Sequence, residues 1–279
     1  MLTEISKLGK NIYRSKLLLS GVIILAVILI LTVLAPYITP YDPDTSDFMN
    51  RLKPPSVQHW LGTDTFGRDV LTRILYGSRL SLRIGLLVVI FNGILGTTLG
   101  LLSGYYRKLD TPIMRAMDVM MSFPEIFLGI AIMAILGGGE QNVILALGIV
   151  LTPRTARIIR SAVLKVVNEE YIEAIRALGG SDRRILFRHV LPNCLSPLIV
   201  QLTFIFAYAI LAEAALSFIG VGSPPPTPSW GNILSEGRDY IPVAPWITLY
   251  PGIAIAATVL GLNLAGDGLR DVLDPKMDI

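Results

Sequence analysis

"EEYIEAIRALGGSDRRILFRHVLPN", Glu169 to Asn193, is a densely charged stretch in a chain that is otherwise mostly apolar. Glu169 to Leu178 contains no helix breaker, and Tyr171, Ile172, Ile175 and Leu178 recur at helical spacing. Gly179 stands where a left-handed C-terminal cap belongs, because glycine takes that conformation without a Cβ clash. Ser181 or Asp182 supplies an N-cap for a second helix. That helix places Ile185, Leu186, Val190 and Leu191 on one side and Arg183, Arg184 and Arg188 on the other, and Pro192 is expected to end it. The segment therefore predicts two amphipathic helices joined by a tight glycine elbow.

Outward from the elbow the chain reads as membrane protein. It is 52% hydrophobic and 16% charged, with a mean hydropathy of +0.61, against about a quarter charged for soluble domains. Uncharged runs fill Lys16–Asp42, Ile84–Tyr106, Ile126–Gly139, His189–Ala212 and Tyr240–Gly266. Crossing the hydrocarbon core takes roughly 20 apolar residues. The Ile126 run reaches that length only if extended back across Glu125 to Val119. The run Gln141–Pro153 is shorter still, and spans only by continuing through "RTARIIR" with Arg154 and Arg157 snorkelling to a surface.

Charge placement decides the number of crossings. With six spans and an inner N-terminus, the inner pieces 1–16, 107–118, 154–188 and 267–279 hold seventeen Lys and Arg, and the outer pieces hold seven. Losing the fourth span would put the eight cations from Arg154 to Arg188 outside, against the positive-inside bias. Six spans are expected, at about 17–37, 80–103, 118–137, 141–160, 195–220 and 246–265. The expected order is a cytosolic N-terminus (1–16), the first span (17–37) and an extracytoplasmic segment (38–78). A core of five spans (79–266) follows, with the charged loop at about 161–193, then a cytosolic tail (267–279). Gly85, Gly93, Gly96, Gly100, Gly129, Gly252 and Gly261 suit close helix packing.

The single cysteine, Cys194, excludes an internal disulfide, and His59 and His189 are too isolated for a His/Cys metal cage. No nucleophile, base or metal constellation points to an enzyme, and nothing points to nucleic acid. A solvated loop would fix topology equally well, but two capped amphipathic helices are more order than topology requires. An ordered half-apolar projection implies a protein partner.

The segment resembles the EAA loop of ABC-importer permeases: Glu173, Ala174 and Ile175, then Gly179, then His189, Leu191 and Pro192 fall in register with that pattern. Ile175 replaces the pattern's second alanine, and His189 occupies its isoleucine slot. "LGTDTFGRDVLTRILYGSRLSL" (Leu61–Leu82), "PPTPSWGNILSEGRDY" (Pro225–Tyr240) and "NLAGDGLRDVLDP" (Asn263–Pro275) resemble the C-type permeases of dipeptide, oligopeptide and nickel importers. The resemblance implies an all-α, six-span permease of the type I importer fold, resident in the cell membrane with both termini cytosolic. Its implied partners are a second permease, two cytosolic ATPases and an extracytoplasmic solute-binding protein. ATP and magnesium would be held by the ATPases, and this chain would hold no cofactor. Implied contacts with the ATPase are Glu169, Tyr171, Glu173, Ala174, Ala177 and Leu178 on the first helix and Gly179 at the turn. On the second helix they are Ser181, Asp182, Ile185, Arg188, Leu191 and Pro192.

Glu213, inside the fifth span, must face a cavity or a polar partner. It is a candidate for an interface hydrogen bond or for the solute path, and Glu125 is a second candidate for path or gate. A rival class, a carrier working without ATPase, would need more such residues paired across inverted halves. By the same resemblance "GTDTFGRD" (Gly62–Asp69) is an outer structural element close to the entrance, and Asp64, Arg68 and Asp69 in it, with Trp230 and Arg238, are candidates for binding-protein contact. Trp230 and Trp246 suit an interfacial belt. Asp267, Arg270 and Asp271 suggest a salt-bridged cap on the inner tail.

Overall fold

The computed structural model describes residues 15–224 and 226–273. The basic N-terminal residues Lys7, Lys10 and Arg14, and the end of the tail, lie outside it. The described chain is built from helices: α1 (Lys16–Ile38), α2 (Val70–Tyr105), α3 (Arg107–Met121), α4 (Glu125–Leu136), α5 (Glu140–Val167), α6 (Glu170–Ala177), α7 (Asp182–Ile185), α8 (Leu191–Ile219), α9 (Trp230–Gly237) and α10 (Trp246–Leu273).

Helix α5 is the central rod. It packs along α2, where Gly96, Gly100 and Gly104 leave no room for a side chain. A Cβ on Gly96 would meet Thr155 Cβ at 2.7 Å, and one on Gly100 would meet Ala156 O and Ile159 Cβ, both at 2.7 Å. Backbones this close gain the dispersion contact that drives helix association in lipid. The expected packing role also holds for Gly85 and Gly261, against Phe206 and Ile24, but a Cβ on Gly252 would meet nothing within 4 Å. Ile84, Val88, Leu147, Leu151, Ile205 and Leu216 fill the core between α2, α5 and α8.

Five helices are long and apolar enough to cross a membrane, and six spans result if the bent pair α3–α4 is one crossing. The expected span over 118–137 is not one straight helix, and the bend that Pro124 invites is a full break. The break falls at Ser122–Pro124, and the halves meet at 94°. Pro124 offers no N–H and pushes Phe123 out of the helical region. The twelve residues of α4 reach only about 18 Å, so α4 alone does not cross.

Other boundaries move outward. Helix α2 starts at Val70 because Asp69 Oδ2 accepts the Thr72 N–H at 2.8 Å. Helix α5 does continue through "RTARIIR", but its arginines are ion-paired to α3 and α4 instead of snorkelling. Pro192 does not end the elbow's second helix. Leu191 N–H bonds to Leu186 O in a π-helical turn over Leu186–Val190, and the helix runs on to Ile219. The wider turn takes up the proline, which lacks an N–H and would crowd a preceding carbonyl in ordinary α register. At the far end α10 extends to Leu273, so the expected tail begins as helix. No ion pair among the described residues ties Asp267, Arg270 or Asp271.

Candidate functional site

The elbow forms as the sequence predicts, with its cap in Schellman geometry. Gly179 has φ +79°, its N–H bonds to Arg176 O at 2.9 Å, and Gly180 N–H bonds to Ile175 O at 2.9 Å. Neither Ser181 nor Asp182 caps the second helix through its side chain. Asp182 instead accepts the Tyr105 hydroxyl at 2.7 Å, and Arg176 lies 5.5 Å from the centre of the Tyr105 ring. Tyr105, the last residue of α2, thus anchors both arms of the elbow. Sequence reasoning missed it because it lies 77 positions from Asp182.

Most of the elbow's apolar side is turned inward. Ile172, Ile185, Leu186 and Val190 are buried, and three of them pack with Ile159, Val163, Cys194 and Leu198. Ile185 is therefore core, and Leu191 is half-buried. What remains outward is polar or isolated: Glu169, Glu173, Ala174, Ala177, Ser181, Arg188 and Pro192 are exposed, with Leu178 88% and Phe187 62% exposed at the tip. Glu169 and Tyr171 also line a cleft of about 850 Å³ between α5, α8 and α10. The departures from the EAA pattern, Ile175 and His189, are half-buried. His189 O accepts Asn193 Nδ2 at 2.6 Å, within the π-helical region.

Four of the five candidates for binding-protein contact, Asp64, Arg68, Asp69 and Trp230, are buried. Arg68 Nε donates to Asp64 Oδ2 at 2.6 Å and Arg73 Nη1 to the same oxygen at 2.7 Å. Arg68 Nη2 reaches Glu236 Oε2 at 2.5 Å. Asp69 caps α2 and holds His59 Nδ1 at 2.9 Å. Buried charges require such pairing, and a group consumed this way presents no surface. Trp230 is buried too, with its Nε1 donating to Ile74 O at 3.1 Å, and Trp246 Nε1 donates to Thr63 O at 3.1 Å, so neither is free for an interfacial belt. Arg238 alone of the five is exposed.

Glu213 is 0% exposed. Its Oε1 accepts the Ser217 hydroxyl at 2.8 Å and its Oε2 the Ser81 hydroxyl at 3.2 Å, while Ser81 Oγ accepts Trp230 N–H at 3.2 Å. The carboxylate thus joins α2, α8 and α9. Glu125, at the start of α4, is held by two hydrogen bonds from Arg154, Nε at 2.6 Å and Nη2 at 2.8 Å. Arg157 Nη2 donates to Asp118 at 2.5 Å, and Arg160 donates to Asp110 at 2.5 and 2.6 Å. The i, i+3, i+6 spacing of the arginines was visible in the sequence, but their partners were not.

Residues 96–279 match the family model described as the binding-protein-dependent transport system inner membrane component. The chain belongs to this family. Residues 10–55 also match the N-terminal transmembrane domain of oligopeptide transport permease C. The permease is 49% identical over 271 residues to a putative peptide transport system permease protein of Brucella suis, covering 97% of this chain and 92% of that one. It is 48% identical to the dipeptide transport system permease protein DppC of Alkalihalophilus pseudofirmus, covering 96% and 88%. It is 45% identical to the glutathione transport system permease protein GsiD of Pectobacterium atrosepticum, covering 87% and 81%. An inward-facing structure of the MetNI methionine ABC transporter shares the fold, with a TM-score of 0.60 at 21% identity, covering 72% of the permease and 97% of that chain. The permease is thus an all-helical, multi-pass inner-membrane transport component with the type I importer fold.

Proposed function

We propose that this permease is the C-type subunit of an ATP-driven importer of small peptides, and that the 169–193 elbow is its contact with a cytosolic ATPase. Peptides are favoured over nickel because the relatives above are named for peptides, dipeptides and glutathione. In this reading a second permease completes the path, two ATPases hold ATP and magnesium, and a binding protein delivers solute from outside. The elbow faces the cytosol with both termini, and the permease itself hydrolyses nothing.

The continuity of the elbow with α8 carries the coupling assignment. From Asp182 to Ile219 the backbone is helical without interruption, a rod of roughly 57 Å at 1.5 Å per residue. A displacement at the tip, where Leu178 and Phe187 are exposed, therefore reaches mid-membrane without a hinge at Pro192. ATP binding would draw the paired elbows together and rotate the rods to open the path outward, and hydrolysis would reset them. Reconstituting the chain with its partners tests the proposal: dipeptide uptake must require nucleotide and binding protein. Uptake by the purified chain alone, without nucleotide, would overturn it.

A further inference from the structure

Helix α5 has 28 residues, and Arg154 lies 14 positions from Glu140 and 13 from Val167, about 20 Å from either end. Counted from Glu140, Arg154, Arg157 and Arg160 lie about 21, 26 and 30 Å along the helix, so the three pairs fall in the elbow-side third of a ~30 Å crossing that starts there. Arg157 and Arg160 follow one and two turns towards the elbow, each about 60° further round the helix. Between Ala146 and Ile159, Ile149, Arg154 and Arg157 are the exposed residues of α5, because α2, α8 and α4 cover the rest. The side chains of the Arg157–Asp118 pair are 45% and 54% exposed. A run of three cations and three carboxylates along this stretch does not face hydrocarbon cheaply. The uncovered face of α5 must meet water or another subunit.

We propose that the pairs Arg154–Glu125, Arg157–Asp118 and Arg160–Asp110 are this subunit's wall of the solute path. A zwitterionic solute passes along them by exchanging partners: an arginine takes its carboxylate, and the released Glu125, Asp118 or Asp110 takes its ammonium. The inference rests on the peptide-import reading above. Three balanced pairs in series leave no net charge and no single deep site, which suits a path that must bind weakly enough to release. The break at Ser122–Pro124 serves the same end. By turning α3 across α5, it brings Asp110 and Asp118, on the elbow side of the break, to the same arginine face that Glu125 meets from α4.

The test uses the assembled importer in proteoliposomes and a charged, membrane-impermeant methanethiosulfonate reagent. Cys194 is the chain's single cysteine and is fully buried, so the background is low. Arg157→Cys should react at least tenfold faster than Ile94→Cys, on the apolar exposed face of α2, in at least one of the nucleotide-free and ATP-trapped states. A rate no faster than Ile94→Cys in both states, as for a face sealed by lipid or by the second permease, overturns the proposal. Asp118→Cys reads the same wall if Arg157→Cys does not assemble. Arg154→Gln combined with Glu125→Gln should lower dipeptide uptake at least tenfold while ATP turnover stays within twofold. Equal loss of both would mark the pair as structural and overturn solute contact. Dipeptide uptake by the unsubstituted importer is measured first. Its failure would strike the peptide reading and leave the labelling result to judge the wall.

Discussion

Arg73 donates to Asp64 at 2.7 Å in a pair whose side chains are each 1% exposed. Glu236, from α9, closes on the same guanidinium across 163 positions of sequence. The pair therefore fastens the α9 segment to the start of α2. Arg73→Met would leave Asp64 and Glu236 short of a partner in a buried site, and breaking such a pair from one side costs about 3–5 kcal/mol. Thermal unfolding of the purified permease should show a clear loss of stability.

Gly100→Leu should prevent α2 from seating on α5. A Cβ there already meets Ala156 O and Ile159 Cβ at 2.7 Å, and forcing bulk into a packed core costs typically 1–3 kcal/mol. Gly252→Leu, with nothing within 4 Å of its Cβ, serves as the control. The expected result is loss of monodisperse protein on detergent gel filtration for the first variant only.

Gly179→Ala and Gly179→Pro should separate strain from breakage at the elbow. The space around Gly179 is open, but its φ of +79° costs an alanine about 1–2 kcal/mol, and proline cannot adopt it. Gly179→Ala should retain partial uptake, and Gly179→Pro should stay in the membrane without transporting. Leu178→Asp and Glu173→Lys change exposed side chains, so they should leave the melting temperature unchanged while abolishing solute-stimulated ATP turnover.

Tyr105→Phe removes the hydrogen bond to Asp182 and keeps the ring under Arg176. Uptake should fall more than stability does, because a looser elbow transmits less of the ATPase displacement. Uptake equal to the parent would show that the buried contacts of Ile172 and Ile185 suffice.

Glu213→Gln should retain most uptake, since an amide oxygen still accepts from a serine. Glu213→Leu strands the Ser81 and Ser217 hydroxyls in a buried site, a loss of about 1–3 kcal/mol readable in thermal unfolding. Abolished uptake in a fully stable Glu213→Gln would return this carboxylate to the solute path.

The legible features were those written in local chemistry. Apolar runs marked the spans, the Arg154–Arg188 cations argued for the short fourth one, and Gly179 followed by Gly180 specified the Schellman elbow. Pro124 and Pro192 show where local rules stop. Each removes one N–H, yet one accompanies a 94° break and the other only a π-helical turn. A proline permits a bend, and the neighbouring helices determine its size: the arginine face of α5 holds α3 and α4 apart in direction, while the helix through Pro192 is buried on both sides of it, at Val190 and Cys194.

The sequence by itself determined a helical membrane protein with a two-helix elbow, because hydropathy, helical period and glycine conformation are properties of residues close along the chain. Only the tertiary structure decided which charges are surface and which are scaffold. Asp64, Arg68, Asp69 and Glu213 looked available and are consumed by partners, Asp64 and Asp69 by residues within ten positions, Arg68 also by Glu236 and Glu213 also by Ser81, whereas Arg154 and Arg157 looked like snorkelling ends and stand paired on an open face. A charge's role depends on the counter-charge that folding brings to it, and that distance is set by helix packing.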